Sequence, residues 1–421
     1  MISSASFVAL RHRNFRLIWI GLMLSFTGTM MQNAALLWHV SLLVPERKGL
    51  ALGLVGLVKV VPIVFFSMIS GVVADAWDRR RLMLMTQVAA TAVAAALALL
   101  TFRGLAVVWP IYVLAALGAA VGAFDMPARA ALVPSLVPRE HLPNAISLNT
   151  IMFQTASVAG PSLGGLLIAA AGVGWVYLAN ALSFGAVIAA LLLMRDVPVR
   201  QPSEGGSRDD VSLRAAVEGL RFVFHSPLIR STMLLDFLAT FFSSATALLP
   251  IFAQDILRVG AKGYGWLYAA PAAGALVASA AMVPLTERIE RRGPTLLWAV
   301  AGYGLATVVF GVSRSFWLTF ACLALTGATD TVSMIIRNIV RQLETPDRLR
   351  GRMTGVNMIF FMGGPQLGEL EAGAVANWLG APFSVISGGV GCLICTIWVA
   401  ISTPAVRRYR REPTETTAAV P

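Results

Sequence analysis

The segment NTIMFQTASVAGPSLGGLLIAAAG, residues 149–172, recurs without a gap as NMIFFMGGPQLGELEAGAVANWLG, residues 357–380. The two copies share an asparagine, an isoleucine, a phenylalanine and three glycines, all at an offset of 208 residues. The same register extends upstream to two more identical pairs, Arg129 with Arg337 and Pro138 with Pro346. Similarity at one fixed offset indicates an internal repeat, so we interpret the chain as a duplicated unit of about half its length.

A second pair of similar segments lies earlier in each copy. Residues 75–80 read Asp-x-x-Asp-Arg-Arg, and residues 287–292 read Glu-x-x-Glu-Arg-Arg. Both copies are otherwise strongly apolar. A duplicated, apolar and helical chain is typical of secondary transporters that are built from two similar halves.

The composition excludes a soluble globular protein. Hydrophobic residues make up 57% of the chain and charged residues only 13%, whereas soluble domains carry about 25% charged residues. The mean hydropathy is +0.75. A chain of this length cannot hide so much apolar surface in its own interior, so the lipid bilayer must solvate most of it.

Twelve apolar runs are long enough to cross a bilayer. They lie at 16–43, 50–74, 82–102, 105–127, 145–171, 173–194, 229–256, 263–285, 294–313, 315–337, 353–377 and 381–403. With the internal repeat, these runs predict an all-α integral membrane fold of twelve transmembrane helices in two pseudo-symmetric six-helix bundles.

The least apolar stretch separates the sixth run from the seventh and divides the chain. We expect an N-terminal bundle at 1–194, a linker at 195–227, a C-terminal bundle at 228–404 and a tail at 405–421. The linker segment 211–224 has the composition of an amphipathic helix on the membrane surface. The polar tail is expected to be disordered.

The net charge of +12 has two interpretations, nucleic-acid binding or membrane topology. The cations form short clusters between apolar runs, a pattern that favours topology. With the N-terminus inside, 26 Lys and Arg residues fall in inner segments and 6 in outer ones, while Lys59 lies within a run. We therefore predict a multi-pass protein of the bacterial inner membrane, with both termini cytoplasmic and no nucleic-acid partner.

Nothing in the sequence indicates catalysis or a cofactor. The chain has no Gly-x-x-x-x-Gly-Lys-Ser/Thr motif for ATP phosphates. No His, Cys and carboxylate cluster has the spacing of a metal site. Cys392-x-x-Cys395 has redox spacing, but it lies in an apolar run without a nearby βαβ pattern, so we interpret it as packing.

The loop between the second and third runs reads Gly71-x-x-x-Asp75-x-x-Asp78-Arg79-Arg80-Arg81. This resembles the cytoplasmic loop motif of the major facilitator superfamily, with Asp78 where the motif usually has glycine. That departure is also common in the drug-efflux and siderophore-export branch. Gly71 would let helices approach closely, Asp75 would cap a neighbouring helix N-terminus, and the arginines would anchor the loop at anionic headgroups.

The fifth run contains Gly160-Pro161-Ser-Leu-Gly164-Gly165. It resembles the antiporter motif of exporting members of the superfamily, in which proline kinks the helix and glycines allow close packing. A shorter echo, Gly-Pro-Gln-Leu-Gly at 364–368, lies at an offset of 204 rather than 208 residues. The sequence leaves both registers open.

The resemblance covers the chain up to its tail and has implications for the architecture. It implies two six-helix bundles around a central cavity that opens alternately to either side. Runs 1, 4, 7 and 10 would line this cavity, while runs 2 and 11 would face each other across the two halves. A charged residue inside such a run has a free-energy cost in lipid, so we expect each one to have a counter-ion or a function.

Three charged residues lie at similar depths in runs 2 and 11. Lys59 lies in run 2, and Glu369 and Glu371 lie in run 11. The first hypothesis is that Lys59 pairs with one of the glutamates as an outer gate, closed when the cavity opens inward. The alternative is that each charge pairs within its own bundle.

Acidic residues inside the runs are candidates for proton coupling, because a carboxylate removed from water can exchange a proton near neutral pH. Asp236 is the leading candidate, and Asp330, Glu369 and Glu371 are the others. A purely structural carboxylate, paired with arginine or backbone, is the alternative for each. We expect a charge cluster at the inner ends that contains Asp125, Arg129 and Arg337.

The resemblance implies an exporter of small amphiphilic molecules, such as drugs or siderophores, that works as a monomer with protons, substrate and lipid as partners. Two alternatives stay open. A proton-coupled uptake carrier for a nutrient would need several convergent polar groups in runs 1, 4, 7 and 10, and few are visible. A non-transporting sensor would need a further soluble domain to carry its signal.

Overall fold

The computed structural model describes residues 4–195, 220–346 and 349–411. Within these ranges it does not describe the side chains of residues 4–6, 67–68, 71–72, 74–76, 350–352, 354–355, 358–359 and 361–362. The first half contains six long helices: α1 Arg13–Leu43, α2 Lys48–Ala76, α3 Arg79–Phe102, α4 Trp109–Leu132, α5 Leu142–Ala171 and α6 Val173–Leu193. The second half contains six more: α7 Pro227–Phe242, α8 Gly260–Leu285, α9 Arg292–Val312, α10 Phe316–Glu344, α11 Arg350–Leu379 and α12 Ala381–Ser402.

The twelve helices agree with the twelve apolar runs. Among the described residues, 11 helical segments are long and apolar enough to cross a membrane. The twelfth expected span is α11, whose 30 residues include Glu369 and Glu371. The prediction of a twelve-helix all-α membrane fold is confirmed.

The seventh run is not one continuous helix. It is α7 followed by a break at Ser243, a 3-10 turn Ala245–Leu248, a short helix Leu249–Ile251 and a π-helical turn Phe252–Ile256. Pro250 lacks a backbone N–H, so it cannot continue the hydrogen-bond ladder from the preceding turn. At the break itself, the Ser244 hydroxyl donates to the Pro365 carbonyl on α11 at 2.9 Å.

The helices form two bundles with the same internal packing. In the first half, α1 packs on α5 and α6, α3 packs on α4 and α6, and α2 packs on α4. In the second half, α7 packs on α11 and α12, α9 packs on α10 and α12, and α8 packs on α10. The halves meet through α2 against α11 and through α5 against α8. The prediction of two pseudo-symmetric bundles is therefore confirmed.

Equivalent glycines fix the register of the repeat at 208 residues. Gly172 and Gly380 end α5 and α11 with φ angles of 92° and 90°. Gly165 on α5 faces Gly265 on α8, and Gly373 on α11 faces Gly53 on α2. Gly165 and Gly373 are 208 residues apart, as are Gly172 and Gly380, so the Gly-Pro segment at 364–368 is displaced by about one turn from the register of α5 and α11.

The start of the tail is ordered, which differs from the expectation of disorder. A short helix, Pro404–Arg408, follows α12 and buries Val406 completely against the start of α9. The Gly293 amide donates to the Tyr409 carbonyl at 3.0 Å, and the Arg411 amide donates to the Glu290 carbonyl at 2.8 Å. The burial of Val406 and these backbone hydrogen bonds stabilise an ordered conformation of this segment, although its composition is polar. Of the predicted linker helix 211–224, residues 211–219 lie outside the described residues.

The two ends of the molecule differ. The arginine-rich end carries the start of α1, the α2–α3 and α8–α9 connections, and the end of α12; the arginine-poor end is opposite. At the arginine-poor end, one buried cluster joins both halves, with Leu36 and Trp38 from the first half and Leu248, Phe252 and Tyr264 from the second. At the other end, the described buried clusters belong to one half or the other. The space between the halves therefore opens toward the arginine-rich end.

Candidate functional site

A polar latch closes the arginine-poor end above the apolar cluster. Lys48, at the start of α2, donates to both carboxylate oxygens of Asp255 at 2.9 and 2.8 Å and to the Gln254 side chain at 3.1 Å. Gln254 in turn donates to the Ser41 hydroxyl at 2.7 Å. These bonds join the two halves. No sequence pattern predicts this latch, although Lys48 is one of the six cations assigned to outer segments.

Tyr264 forms a second connection beneath the latch. Its hydroxyl is fully buried and donates to the Ala34 carbonyl on α1 at 2.8 Å. Its ring lies 5.1 Å from the ring of Trp38. Separation of α1 from α8 would remove the Ala34 carbonyl from this buried hydroxyl, and the free-energy cost of that loss opposes opening of this layer.

The latch leads to a prediction about the balance between closed and open states. Replacement of Lys48 by methionine is expected to raise the population that is open at the arginine-poor end by about two- to fivefold, since a partly exposed ion pair contributes up to about 1 kcal/mol. Electron–electron distance measurements between spin labels at Glu46 and Lys262, one in each half, report this opening. Arg314→Met, at the same end within one half, is the control. An unchanged distance distribution for Lys48→Met contradicts the prediction.

Glycines bring the backbones of the two halves together at two crossings. An ideal Cβ on Gly165 would lie 2.6 Å from the Ala261 carbonyl oxygen and 2.7 Å from the Gly265 Cα. An ideal Cβ on Gly373 would lie 2.7 Å from the Gly53 Cα. Of the predicted antiporter motif, Gly165 thus faces the other half. Gly160 and Gly164 face α1 within their own half, against Met30 and Met31, and Pro161 lies between them inside α5.

A cavity of about 710 Å³ lies beneath the closed layer, chiefly inside the first half. It extends from Leu36 and Lys59 to Ser70 and Ala130, which are nearer the arginine-rich end. Its polar lining comes from α1, α2 and α6, with one residue from α11: Thr29, Gln32, Asn33, Lys59, Ser70, Asn180 and Gln366. Small residues of α4 form much of the remaining wall. The cavity is large enough for an organic molecule of ordinary size.

The structure brings Lys59 and Glu369 near each other at the contact between α2 and α11. The Glu369 carboxylate occupies the space that a Cβ on Gly56 would take, one turn from Lys59. The two charges interact through space. Lys59 also donates to the Asn33 side chain at 3.3 Å. Glu371 is two residues further along the helix, on a different face from Glu369. This arrangement fits the gate hypothesis with Glu369 as the partner, and the gating role stays a prediction.

Asp236 is buried against an arginine of α10. Its carboxylate lies 2.5 Å from Arg337, whose side chain is 4% exposed. The second acid, Asp330, lies 3.6 Å from the same guanidinium and is 43% exposed. Arg341, also buried, lies one turn after Arg337 on α10. Asp236, Asp330 and Arg337 are among the residues predicted from the sequence, and Arg341 is not.

Asp125 and Arg129 form a separate group in the first half. Their side chains lie 2.5 Å apart on α4. Asp125 also accepts from Thr86 at 2.8 Å and from Gln87 at 2.7 Å, both on α3. The Arg129 guanidinium lies 4.3 Å from the centre of the Phe26 ring. The structure therefore brings Asp125 and Arg129 together but places Arg337 in the other half. These contacts hold α3, α4 and α1 together.

The arginines of the 71–81 loop bind helix ends. Arg79 donates to the Ala131 carbonyl at the end of α4 at 2.9 Å, and Arg80 donates to the Leu191 carbonyl at the end of α6 at 2.9 Å. The Asp78 side chain accepts from the Arg81 amide at 2.8 Å and caps α3. Cations at helix C-termini meet the negative end of the dipole. Arg79 and Arg80 therefore contact helix carbonyls, and the expected contact of the loop arginines with headgroups stays a prediction.

Two residues of this loop motif are only partly described. Gly71 and Asp75 belong to α2, but their side-chain positions lie outside the described residues. The proposed capping by Asp75 therefore stays a prediction.

Sequence comparisons identify related transport proteins. The model of the family described as "Transmembrane secretion effector" matches residues 4–417. The chain is 30% identical over 352 residues to the enterobactin exporter EntS of Escherichia coli O1:K1 / APEC, covering 83% of each chain. It shows the same identity and coverage against the enterobactin exporter EntS of Shigella boydii serotype 18.

Solved structures with the same fold are more distant in sequence. A POT family transporter in complex with 5-aminolevulinic acid has a TM-score of 0.74 at 11% identity, over 94% of this chain and 96% of that chain. A bacterial homologue of the human lysosomal transporter Spinster, inward-facing and unoccupied, has a TM-score of 0.73 at 14% identity, over 95% and 99%. These similarities show the fold.

Proposed function

Because this chain belongs to the transmembrane secretion effector family of the major facilitator superfamily, we propose that it exports small amphiphilic, siderophore-like molecules in exchange for protons. That it is a multi-pass membrane transporter follows from the family and the fold. The observation that carries the direction of transport is the 30% identity to enterobactin exporters over 83% of the chain.

The open end of the molecule supports loading from the cytoplasm. The cavity is closed at the arginine-poor end by the latch and by Tyr264, and it opens toward the end with the arginine clusters. The positive-inside rule assigns such clusters to the cytoplasm. In our proposal the described state is the one that receives substrate from the cell, and export requires the latch to open.

The shared arginine of the second half supports proton coupling. Asp236 and Asp330 both approach Arg337, but Asp236 is buried at 2.5 Å whereas Asp330 is half exposed at 3.6 Å. A proton can therefore load on Asp330 while Arg337 keeps a buried counter-charge in Asp236. We propose Asp330 as the residue that exchanges the proton and Asp236 as the residue that holds Arg337. Lys59 and Glu369 act as a gate beneath the closed layer.

Inside-out membrane vesicles from a host without its own exporters test this function. With enterobactin as the probe and an acidified interior, wild-type vesicles are expected to accumulate the probe, and a protonophore is expected to abolish accumulation. Asp330→Asn is expected to lose uphill accumulation but to keep exchange down a substrate gradient. Glu140→Gln, an exposed acid outside the helix bundle, is the control.

Two results would oppose the proposal. Accumulation only in right-side-out vesicles with an acidic exterior would indicate an uptake carrier. Uphill accumulation by Asp330→Asn at the wild-type level would show that Asp330 does not exchange the proton.

A further inference from the structure

The geometry points to a binding site for an organic anion inside the first half, in which Lys59 holds the negative group and α4 holds an apolar body. This inference rests on the proposed function, because it treats the cavity as the place where the cargo lies. It adds the charge of the cargo and the residues that recognise it.

The charge of the lining determines the sign of the ligand. Among the described residues that line the cavity, Lys59 is the one ionisable side chain, and it is a cation. The other polar side chains are neutral amides and hydroxyls. A partly buried ammonium that forms no direct ion pair among the described contacts favours an anion at that position.

The hydrogen bonds of Lys59 leave room for a ligand. An ammonium group has three donors. Among the contacts of the described residues, Lys59 makes one hydrogen bond, a long one of 3.3 Å to Asn33. Glu369 attracts it through space, and no direct ion pair joins the two among the described contacts. The amides of Asn180 and Gln32, which bond to each other at 2.8 Å, lie in the same polar wall. A carboxylate or a comparable acid could therefore accept from Lys59 without displacing a strong bond.

One wall of the cavity is apolar. It consists of small residues at helical spacing on α4, namely Ala115, Gly118, Ala119, Gly122 and Ala123. An ideal Cβ on Gly122 would meet no atom within 4 Å. Val93, Leu114 and Phe184 add apolar area to this wall. A ring system of the ligand can lie along this surface, so the ligand is an amphiphilic organic acid.

Glu369 competes with the ligand for Lys59. The carboxylate and the bound acid would both be stabilised by the same ammonium, and each would repel the other. Removal of the charge at position 369 is therefore expected to tighten anion binding. If Lys59 and Glu369 act only as a gate, removal of the charge at position 369 weakens the closed layer. It then alters the binding of an anion and of a neutral molecule equally.

The test measures binding to the purified full chain in lipid nanodiscs without a proton gradient. The probes are 2-naphthoate and 2-naphthamide, which share a ring system and differ in charge, and calorimetry measures each Kd. Wild type is expected to bind the acid at least about tenfold more tightly than the amide, as a desolvated charge contact can provide. Lys59→Met is expected to abolish this preference, Lys59→Arg to keep most of it, and Glu369→Gln to tighten acid binding by about fivefold.

A cavity-filling pair tests the position of the apolar body. Gly122→Leu places a side chain in the open space and is expected to weaken naphthoate binding by about tenfold through steric exclusion. Gly185→Leu is the matched control, since Gly185 lies in the same half on α6, also meets no atom within 4 Å and does not line the cavity. Thermal unfolding of each variant checks that it is folded.

The outcomes separate this inference from the proposed function. Equal binding of acid and amide by wild type, an unchanged preference in Lys59→Met, or unchanged binding in Gly122→Leu would each overturn the anion site, even if the vesicles show export. Anion preference that depends on Lys59 without export in vesicles would support the site and remove the exporter function instead.

Discussion

Replacement of Asp236 by alanine is expected to destabilise the protein by about 3–5 kcal/mol, because it leaves the charge of Arg337 buried without a close counter-ion. The Asp236 residue is 5% exposed and Arg337 is 3% exposed. Their pair, 2.5 Å long, joins α7 to α10. Unfolding of the detergent-solubilised protein, followed by temperature and by chemical denaturant, measures the effect.

Two further variants show whether the effect comes from the unpaired charge. Asp330→Ala, at 3.6 Å and half exposed, is the control and is expected to change stability by less than about 1 kcal/mol. The double variant Asp236→Ala with Arg337→Met is expected to recover much of the loss, since replacing both partners of a buried pair is often neutral. A double variant as unstable as Asp236→Ala alone would show that the cavity, rather than the charge, causes the loss.

Replacement of Gly165 by valine is expected to disfavour the closed arginine-poor end by about 1–3 kcal/mol, or roughly 5- to 150-fold in population. The new side chain would meet backbone atoms of α8, with its Cβ 2.7 Å from the Gly265 Cα. Backbone cannot rotate away as a flexible side chain can, so α5 and α8 must separate. The spin labels at Glu46 and Lys262 measure the opening, and vesicle accumulation of enterobactin measures the loss of export.

The equivalent crossing provides an independent copy of this experiment. Gly373→Val is expected to have a similar effect, because its Cβ would lie 2.7 Å from the Gly53 Cα on α2. Gly185→Val, where an added Cβ meets no atom within 4 Å, is the control and is expected to behave as wild type. If Gly165→Val and Gly373→Val both close normally, the helices make room for the added side chain at no measurable free-energy cost, which contradicts the prediction.

The sequence predicted the architecture because its signals are local or repeated. Apolar length alone defines the helices, and the offset between Gly165 and Gly373 defines the equivalence of the two halves. Helix length can be read along one run, and the equivalence of the halves by comparison of one segment with its copy. The similar depths of Lys59 and Glu369 supported pairing across the halves as one of two open hypotheses.

The features that were missed depend on which helices pack together. Arg337 has an acid on its own helix, Asp330, at 3.6 Å, yet the closer partner is Asp236 on α7 at 2.5 Å. Lys48 and Asp255 lie 207 residues apart in connections that have no periodic pattern. The break after α7 determines where Asp255 lies. The sequence feature that indicates this break is Pro250. Arg79 and Arg80 bind backbone carbonyls, which every residue has, so no side chain in the sequence indicates these partners.

The two glycine crossings have a consequence for the speed of the conformational cycle. At each crossing the backbones of two helices touch without a side chain between them. Interlocked side chains would have to leave their neighbours one after another, and each departure would add a step to the activation barrier. Smooth helix surfaces avoid these steps at the two crossings, so we expect the barrier to opening to come from the buried cluster and from the bonds of Lys48 and Tyr264.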